Sequence, residues 1–125
     1  MSIVVDSSAL IAFVKDEPGA DVVQEALSDA MVSAVIFAEC LSKLANQGYD
    51  ADTARTRFLA AGLIVQPLAL QDVERVLSLH ALALRGVSLA DRVCLALALD
   101  RGVPVLTGDR VWADLGLTLE VRLIR

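Results

Sequence analysis

Five short β-branched or leucine-rich runs, separated by stretches of helical character that end in glycine or proline, constrain this chain more than any other feature. The runs are Ile3-Val4-Val5, Met31-Val32, Leu63-Ile64-Val65, Pro104-Val105-Leu106-Thr107 and Leu119 to Ile124, the last alternating with Glu120 and Arg122. Runs this short and apolar read as strands. Strands that alternate with helices pair in parallel, because a parallel pair needs a helical crossover, and a parallel sheet needs both faces covered. The pattern therefore predicts an α/β fold, a three-layer α/β/α sandwich around a central parallel sheet of about five strands.

The intervening stretches carry their own start and stop signals. Asp6-Ser7-Ser8 reads as a polar turn leading into a helix over Ala9 to Val14, punctuated by Pro18-Gly19. Val22, Val23, Ala26 and Leu27 recur at helical spacing between Ala20 and Ala30. Ser33 is an N-cap for a helix over Ala34 to Gln47, stopped by Gly48, and Asp50 or Asp52 caps another that runs to Ala61 before Gly62. Leu70, Val73, Val76, Leu77 and Leu84 predict one amphipathic helix ended by Gly86. Ser88 opens a nearly all-apolar helix through Leu99, which stops at Gly102, and Arg110 to Leu115 forms a short helix after a Gly108-Asp109 turn.

At 125 residues, 56% of them hydrophobic, the chain has the material for one buried core, and residues 1–125 are expected to form a single domain. The apolar runs are broken by charge, Gly or Pro well before the roughly 20 residues of a membrane span. The start, Ile3-Val4-Val5-Asp6, has neither the basic segment nor the long apolar stretch of a secretory signal, so cytoplasmic residence and no membrane contact are expected. Cys40 and Cys94 lack close Cys or His neighbours and read as small buried hydrophobes. A formal charge of −5 excludes coating of nucleic acid by bulk electrostatics, so any such contact must be local.

Several chemistries are excluded by what is missing. His80 is the only histidine, which rules out cleavage by paired imidazoles, and a Ser-His-Asp triad would need a nucleophile elbow that is not here. Asp6-Ser7-Ser8-Ala9 after the first strand is neither a dinucleotide fingerprint nor a Walker loop. A haloacid-type phosphatase would carry a second Asp where Ser8 stands. A receiver domain would place an Asp after a middle strand and a Lys after its last, whereas the third strand here ends at Gln66-Pro67 and the region after strand four has Arg110 but no Lys.

What remains is acid: Asp6 after strand one, Glu39 inside the apolar stretch Val35-Ile36-Phe37-Ala38, Asp91 near the start of a buried helix, and Asp109 after strand four. In open sheets, function gathers beyond the carboxyl ends of the strands, where Asp6 and Asp109 fall. An ionised carboxylate removed from water costs several kcal/mol unless paired, and neighbouring carboxylates raise one another's pKa. A divalent cation answers both objections, and oxygen-only donors suit magnesium or manganese. Such a site could activate water for attack on a phosphodiester. Each acid also has a structural reading: Asp6 and Asp109 as N-caps, Ser88 and Asp91 as a capping box, Glu39 paired with Lys43 at i+4. Asp114 reads as a solvated acid at the rim.

Taken together, Val4-Val5-Asp6-Ser7-Ser8-Ala9-Leu10, Phe37-Ala38-Glu39, Ser88-Leu89-Ala90-Asp91 leading into Cys94-Leu95-Ala96-Leu97-Ala98, and Val105-Leu106-Thr107-Gly108-Asp109-Arg110 resemble the PIN-domain family. The likeness is strongest to its VapC-like toxins of bacterial toxin-antitoxin pairs and spans essentially the whole chain.

The resemblance implies strand order 3-2-1-4-5 and a metal-dependent endoribonuclease that hydrolyses RNA by metal-activated water, leaving 5′-phosphate and 3′-hydroxyl ends. It further implies a homodimer inhibited by a small antitoxin. Carried over by residue, it makes Asp6 and Asp91 direct ligands of Mg2+ or Mn2+, Glu39 a ligand directly or through water, and Asp109 a ligand of a second or substrate-dependent ion. Ser7, Ser8 and Thr107 are then supporting hydroxyls. Because the acids repel RNA, Lys15, Lys43, Arg85, Arg92 and Arg110, the cations nearest them in sequence, are candidates to hold its backbone. The competing reading keeps the fold and removes the chemistry, leaving a catalytically silent scaffold that binds a partner protein.

Overall fold

The computed structural model describes residues 2–125. Strands β1 (Ile3–Val5), β2 (Ala30–Ser33), β3 (Ile64–Gln66), β4 (Val105–Thr107) and β5 (Val121–Leu123) form one parallel sheet in the order β3-β2-β1-β4-β5. Val4 pairs with Met31 on one side and Val105 on the other, so β1 is the centre of the sheet. Ile3, Val4 and Val5 are all buried; since successive side chains on a strand point to opposite faces, both faces of the sheet are covered.

The chain steps outward from β1 to β2 to β3, then crosses back beyond β1 to β4. Right-handed crossovers in these opposite directions put the helices of the two arms on opposite faces. The first arm carries α1 (Ser7–Lys15), α2 (Ala20–Ala26), α3 (Ala34–Asn46) and α4 (Ala51–Ala60); the return carries α5 (Leu70–Ser78) and α6 (Leu89–Arg101). Helix α1 packs on α2 and α3, α5 packs on α6, and α6 lies against β1 and β2. The core between them includes Leu10, Ile36, Leu44, Phe58 and Leu95, with Phe58 meeting the rings of Phe13 and Phe37 at 5.8 and 6.1 Å. Among the described residues, no helix is long and apolar enough to cross a membrane.

Several boundaries differ from the sequence expectations. The expected turn at Asp6-Ser7-Ser8 is absent, because Asp6 accepts a hydrogen bond from the Ser7 backbone N–H at 2.7 Å and helix α1 starts at once. The helix expected to reach Ala30 ends at Ala26, and a 3-10 turn over Leu27–Asp29 brings the chain into β2. The single helix expected over Leu70 to Leu84 is two pieces: α5 stops at Leu79, whose φ of −98° and ψ of 9° leave the α-helical region, and a 3-10 segment follows over His80–Arg85. Turning there buries Leu79 and leaves Leu77 and Leu84 in solvent. Leu70 and Leu77, 84% and 65% exposed, share an open apolar face of α5 with Val73. β5 is shorter than expected at both ends.

Candidate metal centre

The carboxyl ends of β1 and β4 lie side by side, and the residues after them build the site. Asp6 follows β1 directly and is 3% exposed. Its Oδ1 accepts the Ser7 backbone N–H, and its Oδ2 accepts the hydroxyls of Ser8 at 2.8 Å and Thr107 at 2.9 Å. Those hydroxyls are aimed by the next loop: the Gly108 N–H donates to Ser8 Oγ, and the Asp109 N–H donates to Thr107 Oγ1. Both hydroxyls therefore accept a hydrogen bond from the backbone and donate their own to Asp6.

The other acids arrive on separate elements. Glu39 is half-buried on α3, and Ser7 Oγ donates to its Oε1 at 2.9 Å, while Lys43 one turn on lies 3.6 Å from the same oxygen. Ser7 thus touches two acids, one through its backbone and one through its side chain. Asp91 sits in the first turn of α6, where the capping box with Ser88 forms as the sequence suggested. Asp109 caps the 3-10 helix Arg110–Asp114 through Oδ1, which accepts the Val111 N–H at 3.0 Å.

Three of these acids act on a common interior. Burial raises the pKa of Asp6 most, the bonds from Ser8, Thr107 and Ser7 oppose it, and the charge of Asp91 raises it further. The fully buried Cys94 thiol, which donates to the Val5 carbonyl, is pushed well above its ordinary value by burial first and then by Asp6, Asp91 and Glu39. Cys40 is pushed up to about 12, chiefly by burial. Both cysteines are buried and unbridged, as the sequence predicted.

Among the described residues, no three acidic, histidine or cysteine side chains stand together as a ready ligand cluster. The reason is local: each acid is held by a cap, a hydroxyl or an ammonium, and like charges gain nothing by approaching without a cation between them. The donor set nevertheless fits a hard divalent ion. Glu39, Asp91 and Asp109 each engage one oxygen, leaving Glu39 Oε2, Asp91 Oδ1 and Asp109 Oδ2 without a hydrogen bond among the described residues. Asp6 has no Lys or Arg partner among them either, so a buried carboxyl group has hydrogen bonds but no counter-charge.

The cations nearest in sequence divide into two groups. Lys15 bonds Gln47 and pairs with Glu17, and Arg85 is tied to the carbonyls of Asp114 and Leu115. Lys43 stands on Glu39, Arg92 is half-buried with its Nε donating to the Ser88 carbonyl, and Arg110 is exposed beside Asp109. Asp114 is exposed and provides only its backbone carbonyl to Arg85. One further cation reaches this end of the sheet with no signal in the sequence: the guanidinium of Arg125 rests against Gly108.

Comparison with known proteins places this arrangement. Residues 3–117 match the PIN domain family. None of the curated proteins matches the sequence significantly. Among solved structures, the fold is similar to a chain of a DNA-bound VapBC from Salmonella typhimurium, with a TM-score of 0.76, 16% identity and coverage of 100% of this chain and 99% of that one. It is similar to a chain of a toxin-antitoxin complex from Klebsiella pneumoniae, with a TM-score of 0.75, 18% identity and 98% of both chains covered. It is also similar to VapC20 of Mycobacterium tuberculosis, described as a sarcin-ricin loop cleaving toxin, with a TM-score of 0.73, 18% identity and coverage of 96% of this chain and 98% of that one. With the family match spanning nearly the whole chain and the strand order it implies present in the sheet, this chain belongs to the PIN domain family.

Proposed function

We propose that this chain is a Mg2+- or Mn2+-dependent endoribonuclease and the toxin of a toxin-antitoxin pair, acting in the cytoplasm as one 1–125 domain. The observation that carries the reading is Asp6: a carboxyl group buried at the carboxyl end of the central strand, given three hydrogen bonds and no cation among the described residues. A group placed so expensively is explained by a positive charge that arrives later.

In this reading Asp6, Glu39 and Asp91 hold the ion, and Asp109 serves a second or substrate-dependent one. A bound divalent cation supplies a lowered pKa for water and neutralises charge gathering on the phosphate. The chain's own part is positioning. Thr107 and Ser8 fix the rotamer of Asp6, Ser7 fixes Glu39 against it, and Lys43 and Arg110 offer charge to the RNA backbone at the rim. The similarity to VapC20 supports RNA as the substrate class, and the similarity to chains solved in toxin-antitoxin complexes supports an inhibitory protein partner. A second copy is the partner we assign to the open face of α5. Leu70 and Leu77 flank Val73 so that an antiparallel copy of the same helix would present matching side chains.

The catalytically silent scaffold retains one observation in its favour, namely that Asp91 and Asp109 already serve as helix caps. A capping carboxylate uses one oxygen and keeps another, so the two roles are compatible. Incubating purified protein with total RNA and Mn2+ and mapping the ends decides between them. We expect discrete cleavage that Asp6→Asn abolishes while the variant stays folded. Unchanged cleavage by Asp6→Asn rejects the metal site, and no cleavage by the wild type favours the scaffold.

A further inference from the structure

An acidic cleavage site on a chain of net charge −5 has to hold a polyanion by a few local cations. Of those near the acids, Lys43 shares its charge with Glu39, Arg92 donates to the Ser88 carbonyl, and Arg110 is exposed at the rim beside Asp109. Arg125 differs in how it is held and in what it leaves free.

Gly108 lies between Thr107, which donates to Asp6, and Asp109. A side-chain carbon built on Gly108 would meet Arg125 Nη2 at 3.0 Å and Cζ at 3.2 Å, with Ser8 Oγ at 3.5 Å on the same side. The guanidinium therefore lies over the backbone of the site loop, on the side from which Ser8 reaches Asp6. Gly108 is the residue that allows this approach.

The guanidinium is placed by a clamp. The Ile124 N–H donates to the Thr107 carbonyl at 3.0 Å, which docks the end of β5 beside β4. Gly19, with φ of +98°, covers Ile124 so closely that a side-chain carbon there would come within 2.5 Å of its carbonyl oxygen. Arg125 Nη1 donates to the Pro18 carbonyl at 3.2 Å and lies 3.7 Å from Glu17 Oε1. Both contacts of the guanidinium with Pro18 and Glu17 use Nη1. Nη2, the nitrogen facing Gly108, has no hydrogen-bond partner among the described residues.

Resting on the nuclease reading above, we infer that Arg125 is a substrate-binding residue whose free Nη2 holds a backbone phosphate of single-stranded RNA next to the scissile one. A fixed guanidinium suits that ligand, since its donors match phosphate oxygens and little freedom is lost on binding. Glu17 shares the same group and so opposes RNA: it holds Arg125 in place while withdrawing part of its charge.

The test compares Arg125→Ala, Arg125→Lys and Glu17→Gln with wild type, using a labelled single-stranded RNA oligonucleotide of mixed sequence and Mn2+. For Arg125→Ala we expect KM to rise about tenfold, as loss of one charge-assisted phosphate contact implies, with kcat within about twofold. The slope of log affinity against log salt should fall by about one contact. Arg125→Lys should restore the salt slope and only part of KM, because a point charge replaces a fork. Glu17→Gln should lower KM, because the Pro18 carbonyl still holds Nη1 while the charge that Glu17 withdraws is returned to the guanidinium. An unaltered KM and salt slope in Arg125→Ala overturns the inference. So does a matching rise in KM for Arg125→Ala and Glu17→Gln together with a matching loss of thermal stability, since that pattern is a tether between the α1–α2 turn and β5. If the wild type cleaves nothing, the nuclease reading fails by itself, and the oligonucleotide salt slope still decides whether Arg125 meets phosphate.

Discussion

Thr107 Oγ1 donates to Asp6 Oδ2 at 2.9 Å across 101 residues of chain, joining the ends of the two central strands through one proton. Thr107 is fully buried and also accepts the Asp109 N–H, which directs its own hydroxyl proton to Asp6. We expect Thr107→Val, close in volume, to fold with a loss of about 1–3 kcal/mol, because the Asp109 N–H is left without its acceptor. The same variant should bind Mn2+ about 10-fold more weakly, as loss of a supporting hydrogen bond to a ligand commonly does. Chemical denaturation and metal titration read the two effects separately.

Burial, reinforced by the charge of Asp91 and opposed by the bonds from Ser8, Thr107 and Ser7, raises the pKa of Asp6 in the folded protein. An unfolded Asp titrates near about 3.9. Between that value and the raised one, the folded state binds more protons than the unfolded state, so stability falls as pH rises. The metal-free wild type should therefore lose thermal stability from about pH 4 upward relative to Asp6→Asn, and the difference should close below that range. Melting curves in chelator across this range test the sign. A wild type that gains on the variant as pH rises contradicts it.

Ser7→Ala removes one bond and keeps another. The backbone N–H still caps onto Asp6, while Glu39 loses its hydroxyl donor and retains only Lys43. The fold should stay near wild type, with cleavage reduced through kcat more than KM, which steady-state kinetics would resolve.

Leu77→Glu places a charge on the open face of α5, where Leu77 makes no core contribution. Sedimentation should show the dimer we assign to this face replaced by a monomer of unchanged melting temperature. A dimer that survives the substitution moves the interface elsewhere.

The alternation of short apolar strands with glycine-stopped helices made the sheet and its layers readable, since Ile3 to Val5 could be buried on both sides only in a covered parallel sheet. Asp6, Glu39, Asp91 and Asp109 stood out because charge in apolar surroundings needs a reason. Asp6 and Asp91 serve as helix caps and also, with Glu39, act on the buried Cys94, so for these two the capping role and the shared interior are compatible, while Asp109 caps its 3-10 helix. The break at Leu79 was not legible, because the apolar spacing of α5 records the open face of Leu70, Val73 and Leu77 as well as the core side chain Val76. Arg125 was invisible for a different reason: it lies 16 positions beyond Asp109, and only the docking of Ile124 on Thr107 brings it back.

Calorimetric titration of the metal-free protein with Mn2+, for wild type and Asp6→Asn side by side, tests most directly whether folding brings these carboxylates to one divalent cation. Saturable uptake is expected for the wild type, with affinity weakened at least about tenfold by the single neutral substitution. Uptake that is absent in the wild type, or equal in the two proteins, would contradict this expectation.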